Sequence, residues 1–447
     1  MTKVITYGTF DLLHYGHINL LKRAKALGDY LIVGVTSENY DRYRGKLNVQ
    51  QTLSERIKNV MNIGLADEIV VEEYEGQKID DIARLHVDIF TIGSDWVGRF
   101  DYLNEYCRVV YLERTKGISS SELRDRQHPL IRLGVVGSGR IANRFIPESK
   151  FVSGVTVEGV FNPHEDSAQK FAQKYELAFY SSDYDDFLKR VNAVYIASPH
   201  ETHYAYVERA LLAGKHVLCE KPMVLTVGEA EKLFALARER GLILMEAIKT
   251  AYCPGFQRLV SCAKSGKIGR IVGVDATFTK LVPLHMRELQ NSEVGGSVTE
   301  LASYPLLAIF KLLGFHYEQI RFYSFFDQKA GADFFTQLHL QYPGAVATVK
   351  VGLGVKSEGS LVISGTRGYI YVPAPWWKTE YFELRFEDPD KAEKNFYKFS
   401  GDGLRYELTE FLTRITDGQM DENACGMSLG IAGVIEKYRS GGIVRLE

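Results

Sequence analysis

The sequence predicts an α/β chain of three folding units, two built on parallel sheets and the third on an open, mainly antiparallel sheet. Three observations lead to this prediction. Short β-rich segments alternate with helical segments over residues 1–125, and the alternation restarts after a polar, proline-containing stretch at 125–132. After about residue 250, longer alternating β segments take over. The predicted domains are residues 1–126, 127–250 and 251–447.

In the first unit the β-rich segments are KVITYG, YLIVGVT, EIVVEE, VDIFTIG and RVVYLER, and TLSERIKNVMNIGLA is one of the helices between them. The second unit repeats the pattern with IRLGVVG, VEGVFN, AVYIASP, HVLCEKP and LILMEAI. Strands that alternate with helices form a parallel sheet covered on both faces. The third unit, α+β in class, contains GRIVGVDATFTK, FTQLHLQYPGAVATVKVGLG and GSLVISGTRGYIYVP, which are typical of antiparallel strands, and GMSLGIAGVIEKYRSGG predicts a terminal amphipathic helix.

Composition excludes several classes of protein. Lys and Arg number 54 against 56 Asp and Glu, and this balance argues against a nucleic-acid or membrane-surface partner. The five cysteines are odd in number and never form a CxxC pair, which argues against a disulfide framework or a zinc knuckle. The longest apolar stretch is short and broken by Lys311, and the N-terminus enters a strand at once. We therefore expect a cytoplasmic protein.

The segment GTFDLLHYGHINLL places His14 and His17 on either side of Gly16, directly after the first strand. In an open parallel sheet, ligands bind beyond the carboxyl ends of the strands, where helix N-termini present N–H groups to phosphate. Two imidazoles in that turn can donate hydrogen bonds to phosphoryl oxygens as charge accumulates on them. A packed surface histidine pair or part of a zinc site is the alternative, although no further zinc ligand follows nearby.

A second glycine-rich turn, GVVGSGRIAN, follows the first strand of the second unit. Its Gly137-x-Gly139-x-x-Ala142 spacing between strand and helix predicts a dinucleotide site, with the pyrophosphate at the helix N-terminus. Asn162 occupies the position of the acidic residue expected for NAD or the arginine expected for NADP. His164 could approach a 2′-phosphate or be a solvated loop residue, so the choice of cofactor stays open.

Together with GSDW at 93–96 and RTKGISSSELR at 114–124, the HxGH turn resembles the glycerol-3-phosphate cytidylyltransferase family over residues 3–125. The resemblance implies a Rossmann-like nucleotidyltransferase that uses CTP, an alcohol phosphate and Mg²⁺ to make a CDP-alcohol and pyrophosphate. It implies that the acceptor phosphate attacks the α-phosphorus in line, next to His14 and His17. Arg114 would hold the triphosphate, Lys46 a phosphate of either substrate, and Arg56 the acceptor phosphate. Further contacts to nucleotide or metal are implied for Thr9, Phe10, Asp11, Asp95, Trp96, Thr115, Gly117, Ile118, Ser119 and Ser120, and no residue is assigned as a resident metal ligand.

The segment SPHETHYAYVERALLAGKHVLCEKPM resembles the Gfo/Idh/MocA family of oxidoreductases, whose signature here is Glu220-Lys221-Pro222. The resemblance implies an NAD(P)-binding Rossmann domain and NAD(P)H-dependent chemistry at a sugar-like carbonyl, with Lys221 polarising the reacting oxygen. Implied cofactor contacts are Gly137, Gly139, Arg140, Ile141, Asn162, Ser198, Pro199, His203, Glu220 and Lys221.

Tyr304, in GGSVTELASYP, occupies the place of the catalytic histidine of many relatives. In the branches with tyrosine there, the resemblance implies a proton donor, and we expect a nearby Lys221 to lower its pKa. Glu300 and Ala302 depart from the Asp and Gly of the family pattern. If Tyr304 is instead a packed helix residue, His200, His203 and His285 are the next candidate acids.

A carbonyl reductase can make the polyol phosphate that a cytidylyltransferase consumes. The leading hypothesis is therefore reduction of a small ketose or aldose phosphate, followed by CTP-dependent formation of a CDP-alditol for a capsule or teichoic-acid-type polymer. The alternatives are a dehydrogenase acting on the CDP-linked polyol, and a non-catalytic dinucleotide sensor that regulates the transferase. The expected partners are small sugar or polyol phosphates and CTP, with no nucleic acid or membrane, and the family resemblance implies a homodimer or homotetramer.

Overall fold

The computed structural model describes residues 1–44, 46, 49–113, 130–291, 293–327 and 330–446. The chain divides into two compact units, Met1–Leu130 with Phe151–Gly154, and Ile131–Lys150 with Val155–Glu447. Among the described helices, none combines the length and the hydropathy that a bilayer crossing requires. All five cysteines carry free thiols.

The first unit alternates strands and helices as the sequence predicts. Its elements are β1 (Lys3–Gly8), α1 (Tyr15–Lys25), β2 (Tyr30–Thr36), α2 (Glu38–Tyr43), α3 (Leu53–Asn62), β3 (Glu68–Glu72), α4 (Gln77–Leu85), β4 (Ile89–Gly93) and β5 (Arg108–Leu112), with short 3₁₀ turns at Ser94–Trp96 and Asp101–Glu105. In the described part of this unit the strands form one parallel sheet in the order β3-β2-β1-β4-β5. Helix α3 begins with a capping box, in which Thr52 and Glu55 satisfy each other's backbone N–H groups.

Both faces of this sheet are covered. Val4 and Ile5 are adjacent in β1, yet they belong to two separate buried apolar clusters, one on each face. Adjacent strand residues point to opposite faces, so a strand that buries both must be apolar throughout. This explains why β1 and β2 appear in the sequence as continuous apolar segments. The sheet therefore has its own core on each side.

The second unit opens with a parallel sheet of the same kind. Its elements are β6 (Ile131–Val136), α5 (Arg140–Ser149), β7 (Val155–Phe161), α6 (Glu165–Tyr175), β8 (Phe179–Ser181), α7 (Tyr184–Lys189), β9 (Ala193–Ile196), α8 (His200–Leu212), β10 (His216–Glu220), α9 (Val227–Arg240) and β11 (Leu244–Ala247). Over the described residues the strand order is β11-β10-β9-β6-β7-β8, and all neighbours are parallel. The order reverses direction beside β6, and ligands bind at such a point in doubly wound sheets.

A mixed, mainly antiparallel sheet follows. Its elements are α10 (Pro254–Lys264), β12 (Ile271–Thr279), α11 (Arg287–Gln290), α12 (Ser297–Leu301), α13 (Ser303–Leu313), β13 (Gln319–Phe325), β14 (Phe335–Tyr342), β15 (Ala345–Gly352), β16 (Leu361–Gly365), β17 (Tyr369–Val372), β18 (Tyr381–Arg385), β19 (Glu393–Phe396), α14 (Leu404–Asp417), α15 (Glu422–Arg439) and β20 (Ile443–Leu446). The described strands lie in the order β19-β18-β17-β16-β12-β15-β14-β13-β20.

The α/β class with two parallel sheets and a mainly antiparallel one is confirmed, with two additions. β12 and β15 pair in parallel, and so do β13 and β20, the short strand that follows the glycine pair. Helix α13 packs on β12 and β15. Helix α15 packs on α9, and its Cys425 and Ala432 join the apolar cluster of the parallel sheet. The two sheets thus share one compact unit, and the predicted boundary after residue 250 stays a prediction.

We expect residues 1–130 to fold when produced alone, because their sheet and both of its apolar clusters lie within this unit. Thermal unfolding followed by far- and near-ultraviolet circular dichroism should show a single cooperative transition. A fragment that lacks near-ultraviolet signal or a cooperative transition would show that the unit is not independent.

Candidate active sites

The first candidate site is the turn between β1 and α1. The chain leaves the strand through Phe10 and Leu12, two non-glycine residues with φ of 52° and 47°. Such backbone conformations are strained and occur where surrounding contacts hold them. The ring of Phe10 is buried and meets His17 edge-on, with 5.4 Å between ring centres. The turn therefore places the first residues of α1 at the carboxyl edge of the sheet, as the sequence predicts.

His14 caps the helix in a way that defines its protonation. Its Nδ1 accepts a hydrogen bond from the backbone N–H of Gly16 at 3.0 Å. A nitrogen that accepts carries a lone pair, so the neutral ring has its proton on Nε2. The ring stacks on His17 with 3.9 Å between centres, and two imidazolium charges at that separation would repel each other. The first turn of α1 contains no acidic residue, which leaves its N–H groups suited to an anion.

A buried ion pair holds the backbone of the turn. Asp41 and Arg56 are fully buried, with 3.2 Å between Oδ2 and Nη1. The same Arg56 Nη1 donates to the carbonyl oxygens of Thr9 and Thr36 at 2.9 and 2.8 Å. Lys46 donates to Thr9 Oγ1 at 2.8 Å, which in turn donates to Asp41 at 3.0 Å. We expected Arg56 to reach the acceptor phosphate, but it binds carbonyl groups and Asp41 instead. Lys46, by contrast, keeps part of its side chain exposed.

Asp11 and Asp95 differ from each other in position. Asp11 is fully buried, and its carboxylate accepts N–H groups of Gln50 and Gln51 at 3.0–3.1 Å. It fixes the segment before α3 and, contrary to expectation, offers no exposed oxygen to a metal or nucleotide. Asp95 is exposed and Trp96 is half-buried just after β4. Since β4 pairs in parallel with β1, both residues follow the carboxyl edge at which His14 lies.

Several predicted contacts lie outside the described residues: Arg114, Thr115, Gly117, Ile118, Ser119 and Ser120. Within the described ranges, no cluster of three or more His, Cys, Asp or Glu side chains could hold a metal ion. Mg²⁺ commonly binds through substrate phosphates and only one or two carboxylates. The described residues alone do not form a Mg²⁺ site.

The second candidate site begins at the turn between β6 and α5. Gly137 has a φ of +98°, and a Cβ there would lie 2.8 Å from the carbonyl oxygen of Ala197. Gly139 has an extended backbone, and a Cβ there would meet no described atom within 4 Å. Helix α5 has no side-chain cap and no acidic residue in its first turn. The N–H groups at its N-terminus are therefore accessible to a pyrophosphate.

This turn forms one wall of a cleft of about 600 Å³. The predicted cofactor residues that line the cleft are Gly137, Gly139, Arg140, Ile141, Asn162, Ser198, Pro199, Glu220 and Lys221. Asn162 donates to Ser138 Oγ at 2.8 Å and accepts the N–H of His164 at 2.9 Å. An amide there offers neither the carboxylate typical of NAD sites nor the guanidinium typical of NADP sites. These residues fit a bound nicotinamide dinucleotide without choosing between the two.

His203 lies elsewhere. It is fully buried, and its Nδ1 and Nε2 each lie 2.9 Å from a carbonyl oxygen, of Pro222 and Ser198 respectively. Burial lowers the pKa of His203 to about 4, so the ring is neutral near pH 7. We predicted a cofactor contact, but His203 instead connects the two loops that follow β9 and β10.

Lys221, Glu300 and His200 converge in the cleft. Lys221 Nζ donates to the backbone carbonyl of Glu300 at 2.8 Å, and His200 Nε2 lies 2.9 Å from Glu300 Oε1. Burial raises the pKa of Glu300, but the hydrogen bond and charge of His200, with Lys221 and Arg287 nearby, lower it to about 2. The glutamate that replaces the family's aspartate is thus a stable anion that orients His200.

Tyr304 also lines the cleft, in the first turn of α13. Its ring is half-buried and meets Phe278 edge-on at 5.2 Å, and Lys221 Nζ lies 6.0 Å from the ring centre. Burial, with the charges of Glu220 and Glu407, raises the pKa of Tyr304 well above its usual value. We expected Lys221 to lower this pKa, but its ammonium donates to Glu300 instead. The phenol is therefore protonated at neutral pH.

The cleft contains cations that we did not assign from the sequence. Arg144, Lys280 and Arg287 line it together with Arg140 and Lys221. Lys280 and Arg287 follow β12 and begin α11, far along the chain from the glycine turn. Lys280 is the last residue of the predicted strand segment GRIVGVDATFTK, and a charged residue at a strand end was the sequence feature that could have marked it as a site residue.

Comparison with known proteins agrees with this division of the chain. The family model described as cytidylyltransferase-like matches residues 5–126. The model for the oxidoreductase family with an NAD-binding Rossmann fold matches residues 131–248, and the Gfo/Idh/MocA C-terminal domain model matches residues 256–371.

Glycerol-3-phosphate cytidylyltransferase of Bacillus spizizenii is 48% identical over 124 residues, which are 28% of this chain and 95% of that protein. Trans-1,2-dihydrobenzene-1,2-diol dehydrogenase of Sus scrofa is 30% identical over 289 residues, covering 62% of this chain and 86% of that protein. A solved 3-ketoreductase from Actinomadura kijaniata, in complex with NADP and TDP-benzene, aligns with a TM-score of 0.64 at 25% identity, over 71% of this chain and 100% of that one. The chain is therefore a fusion whose N-terminal part belongs to the glycerol-3-phosphate cytidylyltransferase family and whose remainder belongs to the Gfo/Idh/MocA oxidoreductase family.

Proposed function

We propose that the C-terminal unit reduces a small ketose or aldose phosphate to an alditol phosphate, and that the N-terminal unit converts this product with CTP into a CDP-alditol. The single observation that supports the proposal is the presence in one chain of two strand–turn–helix elements with anion-accepting helix N-termini, each with its own candidate reactive side chains. By family, the first unit consumes an alcohol phosphate and the second handles carbonyl or hydroxyl groups. The products would be a CDP-glycerol-like compound and pyrophosphate, for synthesis of a surface polysaccharide or teichoic-acid-type polymer.

In the reductase site, bound NAD(P)H supplies the hydride that reduces the carbonyl carbon. The alkoxide that results needs a proton, and the protonated phenol of Tyr304 lines the same cleft. The ammonium of Lys221 lies 6.0 Å from the ring centre of Tyr304. From there it can polarise the oxygen of a carbonyl group that binds beside the phenol. Burial keeps this phenol in its protonated form, and a protonated phenol can donate to an alkoxide.

In the transferase site, the acceptor phosphate attacks the α-phosphorus of CTP and the bond to pyrophosphate breaks. His14 can donate from Nε2 because Nδ1 is engaged with Gly16. Lys46 and the N-terminus of α1 add positive charge beside the same turn. No covalent enzyme intermediate is needed, since positioning and charge stabilisation account for such transfers.

A second order of reactions is supported by one observation. The solved 3-ketoreductase at 25% identity contains NADP together with TDP-benzene, a nucleoside diphosphate compound. The reductase could therefore act on the CDP-linked polyol after cytidylyl transfer. A regulatory dinucleotide sensor is less well supported, because a sensor needs no Lys221–Tyr304 pair beside the cofactor turn.

We predict that His17→Ala lowers CTP-dependent pyrophosphate release at least 10²–10³-fold, because a donor to the transferring phosphate is lost. Oxidation of NAD(P)H with a ketose phosphate should stay within about twofold of the parent, since the reductase residues lie in the other unit. The control is His86→Asn, which keeps a residue that tolerates the left-handed backbone after α4. Equal loss of both activities in a folded His17→Ala protein would contradict the assignment.

Tyr304→Phe removes the proton donor but keeps the ring against Phe278, so folding and cofactor binding should survive. We expect the reduction rate to fall about 10²–10⁴-fold, with CTP chemistry unchanged. Lys221→Ala should be at least as damaging. Tyr323→Phe, in the mixed sheet, is the matched control. Parental reduction rates in Tyr304→Phe would mean that Tyr304 is a packing residue, and His200 would become the candidate acid.

Gly139→Ala tests the cofactor turn. The added methyl group meets no described atom within 4 Å, so the melting temperature should not change. It would lie where a pyrophosphate approaches the backbone, and we expect NAD(P)H affinity to fall at least about tenfold. Gly228→Ala, in the first turn of α9, also meets no described atom; it should leave cofactor affinity unchanged and raise the melting temperature slightly, because alanine favours the helix more than glycine does. Calorimetry and cofactor fluorescence titration measure both, and unaltered cofactor affinity in Gly139→Ala would argue against this binding mode.

A further inference from the structure

The reductase cleft has an excess of positive charge. Among the described residues that line it, five Lys or Arg side chains stand against three carboxylates. Lys280 and Arg287 come from the mixed-sheet part of the unit, which also supplies Tyr304. Neither residue belongs to the glycine turn that predicts the dinucleotide site, so the two cations extend the positive charge of the cleft beyond that turn.

The position of Lys280 relative to Tyr304 follows from strand geometry. Lys280 continues the ladder of β12, because its N–H donates to the carbonyl of Gly352 at 2.8 Å. Residues two apart in a strand point to the same face and lie roughly 7 Å apart. Phe278 and Lys280 therefore share a face, and Phe278 touches Tyr304 at 5.2 Å between ring centres. Lys280 therefore lies on the same strand face as the ring against which Tyr304 packs, and both residues line the cleft.

Three other cations of the cleft form ion pairs, whereas Lys280 forms none within the described part of the chain. The ion pairs are Arg140 with Glu288 at 3.0 Å, Arg144 with Asp402 at 3.6 Å, and Arg287 with Glu201 at 3.1 Å. Lys280 forms no ion pair or side-chain hydrogen bond with the described residues. Burial lowers the pKa of Lys280 and the charges of Arg140 and Arg144 lower it further, whereas the carboxylates of Glu288 and Glu300 act in the opposite direction. A like-charged group of this kind is stabilised by an anion between its members.

We propose that Lys280, with Arg144 beside it, binds a phosphate group of the reductase substrate. The inference rests on the proposed reductase function and names its substrate class, a carbonyl compound with a phosphate ester a few carbons from the reacting group. The phosphate belongs either to a free sugar phosphate or to the diphosphate of a CDP-linked polyol. Lys280 is then a specificity-determining residue, since uncharged sugars of the same length gain nothing from it.

The test uses the full chain loaded with the reduced dinucleotide that it binds, whose fluorescence reports on this cleft alone. The probes are glycerol 3-phosphate, CDP-glycerol and glycerol. We expect Lys280→Met to weaken binding of a phosphate-bearing probe about 10–100-fold, the loss of one charge-assisted hydrogen bond. Binding of the dinucleotide and of glycerol should not change. Lys280→Arg should restore much of the affinity, and Lys267→Met, which removes an exposed lysine paired with Glu393, should have no effect.

Each outcome decides a point. A Lys280-dependent loss for glycerol 3-phosphate indicates a free sugar phosphate, and a loss for CDP-glycerol alone indicates a CDP-linked substrate. The inference is overturned if the parent binds both phosphate probes no better than glycerol, or if Lys280→Met leaves their affinity unchanged. If Lys280-dependent binding is present but no ketose or aldose phosphate oxidises the cofactor, the proposed reaction fails while the phosphate site stands.

Discussion

Parallel strands need a crossover connection, and where that crossover is a helix it starts at the carboxyl edge of the sheet; both candidate sites depend on this constraint. The first N–H groups of such a helix have no partner within it. At the start of α1, His14 accepts one of these N–H groups, and its ring stacks on that of His17 at the same edge. At the start of α5, Gly139 supplies no side chain at all, so the backbone stays accessible to a pyrophosphate. The same local geometry thus gives one candidate anion site in each unit.

Buried charges hold the loops around both turns. Asp41 and Arg56 tie the residues after β1 and β2 to α3, and removing either partner would leave an uncompensated charge, at a cost of about 3–5 kcal/mol. In the reductase unit, Glu300 accepts from His200 through its side chain and from Lys221 through its carbonyl. The reactive groups are therefore positioned by neighbours that do not themselves need to touch substrate.

The sequence predicted the local parts of both sites because each glycine turn directly follows an apolar strand. It did not predict burial. Asp11, Arg56 and His203 were interpreted as ligand contacts, yet all three are buried and bonded to the scaffold. The cations of the cleft were missed for the opposite reason. Lys280 and Arg287 line the same cleft as Arg144 only because of the tertiary fold, and no spacing along the chain records that.

The sequence pattern also did not predict which strands pair in parallel. A period of two in hydrophobicity fixes which face is buried, but β12 and β15 pair in parallel while their neighbours run antiparallel. The raised pKa of Tyr304 similarly depends on burial and on Glu407 from a helix a hundred residues later. Family resemblance supplied the identity of the reactive residues, and the structure supplied their protonation.

³¹P NMR of one reaction mixture can determine whether reduction precedes cytidylyl transfer, as we propose. The full chain is incubated with a ketose phosphate and NAD(P)H, first without CTP and then with it. If reduction comes first, alditol phosphate forms and cofactor is oxidised before CTP is added, and CDP-alditol and pyrophosphate appear only afterwards. Cofactor oxidation that begins only once CTP is present would contradict this order and assign the reductase to a CDP-linked substrate.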